Sequence, residues 1–357
     1  MHSVEQWAMA KEWGGDVEGP WLVTGAAGFI GYHVARSLLE RGVEVVGVDD
    51  LNPYYDPSLK EARLGELRRQ AGEDGMFRFH RQDLSDAEGV RALFEKEEYP
   101  YVLHLAAQAG VRYSLEAPHA YLDSNLAGTL NVLEGCRRQG VRHFVLASTS
   151  SIYGANRETP FREGHGAEHP LSLYAATKKG AEAMAHSYAH LYDIPVTALR
   201  FFTVYGPWGR PDMAYYKFTR ALFEGEPIEV YGEGRPERDF TYVDDVAEGT
   251  LRVAVRPPPA GEDAGPTNPD PGRSPASFRV LNIGATRKVP LMDFISTLEA
   301  LVGTEAKKTV LPMQPGDALE THADVSRLTE LTGYRPSVPL EEGLRRFVEW
   351  YRIYHEV

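Results

Sequence analysis

The feature that most constrains this chain is a glycine-rich segment between an apolar run and a helical pattern. Residues 21–23 are apolar and lead into Thr24, and glycines then recur at every third position. A helical pattern comes next, and a second apolar run, 43–48, ends at Asp49. This order predicts one βαβ unit, in which a strand, a tight turn and a helix are followed by a second strand that ends at an acid. The helix serves as the crossover that two parallel strands need. The three glycines are Gly25, Gly28 and Gly31.

Apolar runs alternate with helical patterns over much of the chain. Further runs lie at 77–79, 101–105, 143–147, 196–200 and 280–284. This alternation predicts an α/β fold, a Rossmann-type doubly wound parallel sheet with a smaller mixed α/β substrate-binding sub-domain. Ligands of such sheets bind beyond the carboxyl ends of the strands, so polar residues just after each run are the candidates for a site.

The same patterns predict where the units of the chain begin and end. A Pro- and Gly-rich stretch between two sheet-like runs predicts a mobile surface loop rather than a linker. The predicted units are an N-terminal extension at 1–18, a dinucleotide-binding domain at 19–203 with return segments near 241–256 and 278–286, a second sub-domain from 204–240 and 287–357, and the loop 257–277.

Composition excludes several classes of protein. The 357 residues carry a formal net charge of -13, which argues against a nucleic-acid partner. A single cysteine, Cys136, excludes an internal disulfide framework and a cysteine-rich metal site, and we predict no metal. No run is long and apolar enough to span a bilayer, and the first residues do not resemble a signal peptide. We therefore expect a soluble cytoplasmic protein without a membrane partner.

The glycine-rich turn predicts a bound dinucleotide. Its first glycine permits the tight turn, its second lets the backbone approach a pyrophosphate, and its third lets the helix pack on the strand. Asp49 would hydrogen-bond the adenosine ribose and repel a ribose phosphate, which favours NAD over NADP. Lys60 and Arg63 weaken that preference, since either could reach a phosphate. The alternative is an α/β turn that holds no nucleotide.

A tyrosine and a lysine four residues apart, Tyr174 and Lys178, predict a proton-transfer pair on one helix face. A base that works near neutrality needs the tyrosine pKa lowered by about 3, which is ~4 kcal/mol. An ammonium about 5 Å away supplies ~3 kcal/mol at an effective dielectric of 20. The hydroxyl cluster 148–151 ends a predicted strand and could hold a substrate oxygen beside the tyrosine. The alternative is that the two residues lie on a solvent-exposed helix face and have no catalytic role.

With these residues in view, the chain resembles the extended short-chain dehydrogenase/reductase family, and within it the UDP-glucuronate 4-epimerases. The likeness covers nearly the whole chain from about Trp21. The segment at 200–214, which ends in GRPDMA, is its most specific part. The residues and segments that carry the likeness are 24–31, Thr149, Tyr174, Lys178, 105–112, 150–154, 200–214 and 314–317.

This resemblance implies an isomerase that inverts C4 of UDP-glucuronate to give UDP-galacturonate through a transient 4-keto sugar, with NAD as cofactor. Tyr174, Lys178 and Thr149 would be catalytic. The dehydratases of the family carry an Asp-Glu pair after the threonine, and the decarboxylases carry Glu where this chain has Ser151. Hydroxyls at Thr149, Ser150, Ser151 and Thr203 would instead hold the sugar carboxylate near the ketone plane and so suppress loss of carbon dioxide.

The resemblance also implies the binding residues. Among the substrate candidates, the alternative for Arg238 is a surface ion pair with the neighbouring Asp239. The cofactor candidates are Gly25, Gly28, Phe29, Ile30, Gly31, Asp49, Asn52, Lys60, Asp83, Leu84, Leu105, Ala106, Ala107, Gln108, Asn125, Tyr174 and Lys178. The UDP-sugar candidates are Arg112, Ser150, Ser151, Thr203, Arg210, Lys217, Phe218, Tyr231, Arg238 and Asp317, of which Arg210 and Arg238 are expected at the diphosphate or ribose.

Three alternatives stay open at this point. The chain could be a UDP-glucose/UDP-galactose 4-epimerase, a UDP-glucuronate decarboxylase, or a non-catalytic NAD-binding scaffold. Helical segments near 119–139 and 172–192 carry apolar residues at helical spacing. Family members often pair such helices, so we expect a homodimer, with core packing as the alternative.

Overall fold

The computed structural model describes residues 19–261, 270–314 and 316–357. Its strands are β1 (Trp21–Thr24), β2 (Val45–Asp49), β3 (Phe77–Arg81), β4 (Tyr101–His104), β5 (His143–Thr149), β6 (Val196–Phe201), β7 (Thr203–Tyr205), β8 (Ile228–Tyr231), β9 (Glu237–Tyr242), β10 (Phe278–Ile283), β11 (Lys288–Pro290) and β12 (Lys308–Leu311).

Helices connect most of these strands. They are α1 (Phe29–Glu40), α2 (Pro57–Ala71), α3 (Ala87–Lys96), α4 (Tyr113–Glu116), α5 (Pro118–Tyr121), a π-helical turn (Leu122–Ala127), α6 (Gly128–Gln139), a 3-10 turn (Ser150–Tyr153), α7 (Leu173–Tyr192), α8 (Ala214–Glu224), a second 3-10 turn (Gly232–Gly234), α9 (Val243–Ala254), α10 (Leu291–Val302), α11 (Ser326–Thr332) and α12 (Leu340–His355).

Seven of the strands form one parallel sheet in the order β10-β6-β5-β4-β1-β2-β3. β1 is an interior strand, in which Leu22 pairs with Val46 of β2 on one side and Val102 of β4 on the other. The predicted doubly wound fold is confirmed. The chain builds outward from β1 in one direction and then from β4 in the other, and the crevice where the direction reverses is the binding position in folds of this kind.

Apolar side chains cover both faces of the sheet. One cluster joins Val46 and Leu146 to α3, α6 and α7, and the other joins Val23 and Val45 to α1 and α2. The second cluster continues through Tyr205 into the C-terminal helix α12. The nucleotide-binding sheet and the smaller sub-domain thus share one continuous core, which fixes the walls of the cleft between them.

The smaller sub-domain holds two short sheets, β11-β9-β7 and β12-β8. The chain leaves it through α9, which packs on α1, and returns to the large sheet as β10. α11, at 326–332, packs on α9 and β10 although it lies inside the segment predicted for the second sub-domain. The predicted boundaries themselves stay a prediction.

The helix expected near 119–139 is interrupted in the structure. α5 ends at Tyr121, and the π-helical turn Leu122–Ala127 separates it from α6. Asn125 lies in this turn, and its amide group bonds the backbone of Gln108 in the loop after β4. A π-helical turn re-aims side chains over one turn, and here the re-aimed amide holds a loop that sequence periodicity does not connect to the helix.

A buried polar node ties together the elements that carry the candidate catalytic residues. Glu182 of α7 accepts hydrogen bonds from Arg200 of β6, at 3.0 and 2.9 Å, and from Ser148 of β5, at 2.6 Å. All three side chains are buried. Because an unpaired buried charge is costly, the node keeps β5, β6 and α7 in one register. Thr149 and Tyr174 lie on two of those elements.

Two predicted segments fall partly or wholly outside the described residues. The extension 1–18 lies outside them, as do residues 262–269 of the loop predicted at 257–277. The described residues on either side of that gap are held, since the Gly261 N–H donates to the Pro275 carbonyl at 2.9 Å and Asp270 pairs with Arg327.

Candidate active site

A cavity of about 850 Å³ opens at the carboxyl ends of the parallel strands, between the sheet and the smaller sub-domain. It runs from the glycine-rich turn past Tyr174 to Asp317. The structure brings to its wall every binding or catalytic residue predicted from the sequence except Asn125. A single elongated cavity of this kind suits a ligand with two distinct ends.

The glycines of the turn are required by close contacts. Gly25 has φ +73°, and a Cβ there would lie 2.7 Å from the amide nitrogen of Ala106. A Cβ on Gly31 would lie 2.0 Å from the carbonyl oxygen of Gly25, and one on Gly28 would lie 2.9 Å from the same atom. α1 begins immediately after Gly28, so its unpaired N–H groups face the cavity where an anion would bind.

An acidic cluster lies at the end of β2, as the sequence predicts. Asp49 is buried and accepts hydrogen bonds from the backbone N–H groups of Ala27, at 3.2 Å, and Leu51, at 2.9 Å. Burial raises the pKa of Asp49, and the charge of Lys60, 3.6 Å away, opposes that rise. Lys60 also donates to the side chain of Asn52 at 3.3 Å.

The possibility that Arg63 reaches a ribose phosphate does not fit the structure. Arg63 is fully buried, and its guanidinium donates to backbone carbonyls and to the hydroxyl of Tyr55. Lys60 is also occupied, because it lies between two carboxylates. Neither cation is therefore free at the edge of β2, and the preference for an unphosphorylated ribose becomes stronger.

The prediction that Asn125 binds the cofactor also needs correction. Its side-chain amide accepts from the Gln108 N–H at 2.8 Å and donates to the Gln108 carbonyl and the Thr177 hydroxyl, each at 3.0 Å. These bonds use both N–H groups of the amide and one lone pair of its oxygen inside the protein. Asn125 holds the loop 105–108 against α7, and that loop forms the cavity wall.

The proton-transfer candidates converge at the centre of the cavity. Thr149 ends β5, and Tyr174 and Lys178 lie on the first turns of α7, which is capped by Ser172. Burial raises the pKa of the Tyr174 phenol, while a hydrogen bond with Thr149 and the charge of Arg210 lower it. Burial also lowers the pKa of Lys178 to about 8. Arg210 is thus a cation at the catalytic end of the cavity.

Arg210 is held by a short network that the sequence did not predict. Its guanidinium donates to both carboxylate oxygens of Asp212, at 3.0 and 2.6 Å, and the Tyr54 hydroxyl donates to the same carboxylate at 3.2 Å. Tyr54 follows β2 and Asp212 lies in the smaller sub-domain, so this network spans the cleft. The expected contact of Arg210 with a diphosphate stays a prediction.

A row of hydroxyls lines the same cavity as Tyr174. The Ser150 and Ser151 side chains line the cavity at the start of the 3-10 turn, and Thr203 lines it at the start of β7. The Thr149 hydroxyl donates to that of Ser151 at 3.2 Å and accepts from its N–H at 3.1 Å. Hydroxyls can donate to an anion without repelling it, which makes this row suitable for a carboxylate.

The far end of the cavity carries the residues expected at the nucleotide. Arg112, in the loop after β4, forms an ion pair with Asp317 at 3.3 Å, and its guanidinium lies 4.7 Å from the centre of the Tyr231 ring. These two contacts join the loop to the smaller sub-domain across the cleft. Arg238 donates to the carbonyls of Ala318, Leu319 and Glu237. Lys217 and Phe218 line the same end.

The surface ion pair of Arg238 with Asp239 does not form. Side chains of neighbouring strand residues point to opposite faces, and the Asp239 carboxylate accepts from the N–H groups of Ala285, Thr286 and Ala323. Of these two residues, only Arg238 lines the cavity.

Sequence reasoning missed several residues of the wall because their neighbours in space are distant in the chain. Two consecutive tyrosines at 54–55 follow the predicted strand end at Asp49 by a few residues, and this pattern could have indicated that they line the site. The missed residues include Tyr54, Tyr55, Tyr113, Asp212, Pro227, Ile228, Phe240 and Met313.

Two histidine pairs have a spacing of four residues, His165 with His169 and His186 with His190. Within the described residues, however, no group of three or more histidine, cysteine, aspartate or glutamate side chains could hold a metal ion. None of the helices that the structure describes is both long and apolar enough to cross a membrane.

Comparison with known proteins identifies relatives over most of the chain. Residues 21–263 match the model of the NAD dependent epimerase/dehydratase family. A probable UDP-glucuronate 4-epimerase of Rhizobium meliloti (strain 1021) is 51% identical over 332 residues, which are 93% of this chain and 96% of the relative.

Solved structures agree in fold. UDP-glucuronic acid 4-epimerase from Bacillus cereus, in complex with UDP-glucuronic acid and NAD, has a TM-score of 0.82 and 33% identity, over 94% of this chain and 99% of that one. UDP-glucose 4-epimerase from Thermotoga maritima, with UDP-glucose, has a TM-score of 0.79 and 31% identity, also over 94% and 99%.

The contact between Gly31 and Gly25 predicts a sharp difference between two glycine-to-alanine variants. Gly31→Ala forces α1 away from β1, so NAD affinity should fall at least about tenfold, or ~1.4 kcal/mol. Gly65→Ala is the control, because a Cβ there meets nothing within 4 Å and α2 should gain about 1 kcal/mol. Calorimetric titration with NAD and thermal unfolding measure both. Equal NAD affinity in the two variants would contradict this view of the turn.

Proposed function

The chain belongs to the NAD dependent epimerase/dehydratase family, and from this premise we propose that it converts UDP-glucuronate to UDP-galacturonate by inverting C4. The observation that carries the proposal is that Ser150, Ser151 and Thr203 line the same cavity as Tyr174, with hydroxyls rather than carboxylates at those three positions. The similarity to the UDP-glucuronate 4-epimerases of Rhizobium meliloti and Bacillus cereus supports it.

The residues of the cleft fit NAD. The glycine turn leaves room for a pyrophosphate where any Cβ would collide, and α1 directs unpaired N–H groups to the same place. Asp49 suits the two hydroxyls of an unphosphorylated ribose, and the described cations near it are already paired. Bound NAD would supply the site with a hydride acceptor and, in reduced form, a hydride donor.

The chain's own residues then manage the proton. Tyr174 as phenolate removes the proton of the C4 hydroxyl, and Thr149 donates to the same oxygen and holds it in place. The charge of Arg210 and the hydrogen bond with Thr149 stabilise the phenolate against the burial that raises the pKa of Tyr174. Lys178, one helical turn further along α7, would add its positive charge. Because C4 becomes planar as a ketone, the returning hydride can add from either face once the sugar has turned. Tyr174 returns the proton to complete the inversion.

The hydroxyl row protects the intermediate. A 4-keto glucuronate is a β-keto acid, and it loses carbon dioxide most readily when the carboxylate bond stands perpendicular to the ketone plane. Ser150, Ser151 and Thr203 come from two elements and can hold the carboxylate from two sides. Hydrogen bonds that keep it near the ketone plane slow the loss.

The far end of the cavity would hold UDP while the sugar turns. Tyr231 offers a ring beside the base, and Asp317 can accept from a ribose hydroxyl. Arg238 and Lys217 supply positive charge for the diphosphate. Arg112, which joins Asp317 and Tyr231, would close over the nucleotide from the opposite wall.

The similarity to a UDP-glucose 4-epimerase keeps neutral sugars as the second candidate substrate. That reading is less favoured because a neutral C6 alcohol would leave part of the hydroxyl row without an anion. A scaffold role is disfavoured because Tyr174, Lys178 and Thr149 are all present at one cavity wall.

Product analysis tests the proposed function. The enzyme with NAD should convert UDP-glucuronate to UDP-galacturonate with little UDP-pentose, and Tyr174→Phe should lower the rate by at least about a hundredfold, since acid–base catalysis contributes that much. Ser151→Ala should raise the pentose fraction severalfold. Faster turnover of UDP-glucose than of UDP-glucuronate would favour the neutral 4-epimerase, and an unchanged pentose fraction in Ser151→Ala would refute the protective role.

We propose a cytoplasmic homodimer. The cytoplasmic location is supported by one buried free thiol, Cys136, which suits a reducing compartment. The dimer is supported by exposed apolar side chains on the two predicted pairing helices. Leu122 and Leu130 are each 40% exposed on the π-helical turn and α6, and Leu191 is 64% exposed near the end of α7. Ala183 of α7 is small and exposed, which allows a second helix to approach closely.

Light scattering tests the dimer. The wild-type chain should give about twice its 39.8 kDa mass, and Leu130→Arg should give a monomer because a charge would be buried in the paired face. Ile353→Arg is the control, since Ile353 is 79% exposed on α12, away from this face. A monomeric wild type, or equal loss of dimer in both variants, would count against the pairing.

A further inference from the structure

Arg63 of α2 is a fully buried cation that does not itself line the cavity. Among the described residues, no carboxylate forms an ion pair with it. Its guanidinium instead donates to the carbonyl of Ala27 at 2.8 Å, to that of Trp208 at 2.6 and 3.1 Å and to that of Gly209 at 3.2 Å. The Tyr55 hydroxyl accepts a further bond at 2.6 Å.

These acceptors belong to two parts of the site. Ala27 lies inside the glycine-rich turn, whereas Trp208 and Gly209 belong to the segment that leads directly to Arg210. A buried cation is costly unless all its donors are paired, so Arg63 favours the arrangement in which both backbones meet it. The guanidinium thus fixes the distance between the dinucleotide turn and the Arg210 segment.

The Arg210 segment needs such a restraint because its backbone is unusual. Gly206 has φ +143° and Trp208 has φ +59°, a conformation that non-glycine residues rarely adopt. His33 of α1 restrains the same turn, since its ring bonds the Pro207 carbonyl at 2.9 Å. Both restraints come from the nucleotide-binding domain.

We propose that Arg63 is a positioning residue that couples the dinucleotide turn to Arg210, so that NAD bound at the turn sets the place of that guanidinium at the reacting end of the cleft. The coupling rests on the proposed function for its kinetic readout but has a structural readout of its own. Arg63 touches neither the sugar site nor Tyr174, and it acts through the carbonyls that it holds.

The positive charge of Arg210 determines in which direction the pH dependence of kcat should shift when Arg63 is replaced. The Arg210 guanidinium lowers the pKa of Tyr174. If the segment loosens, Arg210 moves and that pKa rises, so a higher pH is needed to form the phenolate. The acid limb of the pH profile of kcat should therefore move to higher pH when Arg63 is replaced, in the same direction as when Arg210 itself is replaced.

A double-mutant cycle tests the coupling. Arg63→Met in the wild-type background should lower kcat about tenfold or more, as expected for a misplaced catalytic group, and should raise the midpoint of the acid limb. In an Arg210→Met background the same substitution should change kcat less than about twofold and leave the midpoint in place. Equal effects in both backgrounds would overturn the proposal, because Arg63 would then act independently of Arg210.

Two further variants keep the outcome decisive. Arg63→Lys keeps the positive charge but loses the forked set of guanidinium N–H donors. It should therefore lower kcat less than Arg63→Met does, and the loss should again depend on whether Arg210 is present. If Arg63→Met does not fold, the result with Arg63→Lys decides the test. Arg68→Met makes the same change on an exposed position of α2, and it should leave kcat and the pH profile unchanged.

Hydrogen–deuterium exchange separates this proposal from the proposed function. NAD alone should slow exchange in residues 206–213 of the wild type and of Arg68→Met, but not of the Arg63 variants. If the wild type showed this slowing but did not turn over UDP-glucuronate, the proposed function would fail and the coupling would stand. If NAD left residues 206–213 unchanged in the wild type, the coupling would fail whatever the enzyme's activity.

Discussion

The rest of the structure depends on how closely α1 can approach β1. With only hydrogen at Gly31, the helix start lies against the Gly25 carbonyl, and the cavity opens directly in front of its N–H groups. The reversal of strand order between β1 and β4 places the loop 105–108 on the other side of this opening. A side chain on Gly31 would shift the helix, the turn and everything that rests on the turn. Arg63 extends that dependence into the smaller sub-domain.

At the proposed catalytic centre, burial and the neighbouring polar groups shift the pKa of Tyr174 in opposite directions. Burial raises the pKa of Tyr174 and lowers that of Lys178 to about 8, so burial alone opposes the phenolate–ammonium pair. The structure offsets this with the Thr149 hydroxyl and the charge of Arg210, which is itself balanced by Asp212. A positive nicotinamide would add to the same effect. Under the proposed function, Tyr174 would be a strong base only when Thr149, Arg210 and the coenzyme are all in place, which suits a reaction whose intermediate must not be released.

Sequence reasoning predicted the parts of the fold that are set by local patterns. The strand ends, the glycine turn and the start of α7 depend on residues adjacent in the chain, and the structure bears out the doubly wound sheet that they predicted. It failed where function is set by partners far apart. Arg63 lies near Asp49 in the chain and could have reached a ribose phosphate, but the carbonyls of Ala27 and Trp208 that hold it are 36 and 145 residues away. Asn125 was placed at the cofactor, yet a π-helical turn aims it at Gln108, and helical periodicity cannot indicate such a turn.

The proposed function requires one tightly held coenzyme to remove a hydride from C4 and to return the same hydride to the opposite face. UDP-glucuronate deuterated at C4 distinguishes this from exchange with solvent, with the product analysed by mass spectrometry and NMR after conversion in ordinary water. UDP-galacturonate should keep the deuterium at C4 in nearly every molecule. Replacement of that deuterium by hydrogen from water would rule out hydride return from the same coenzyme.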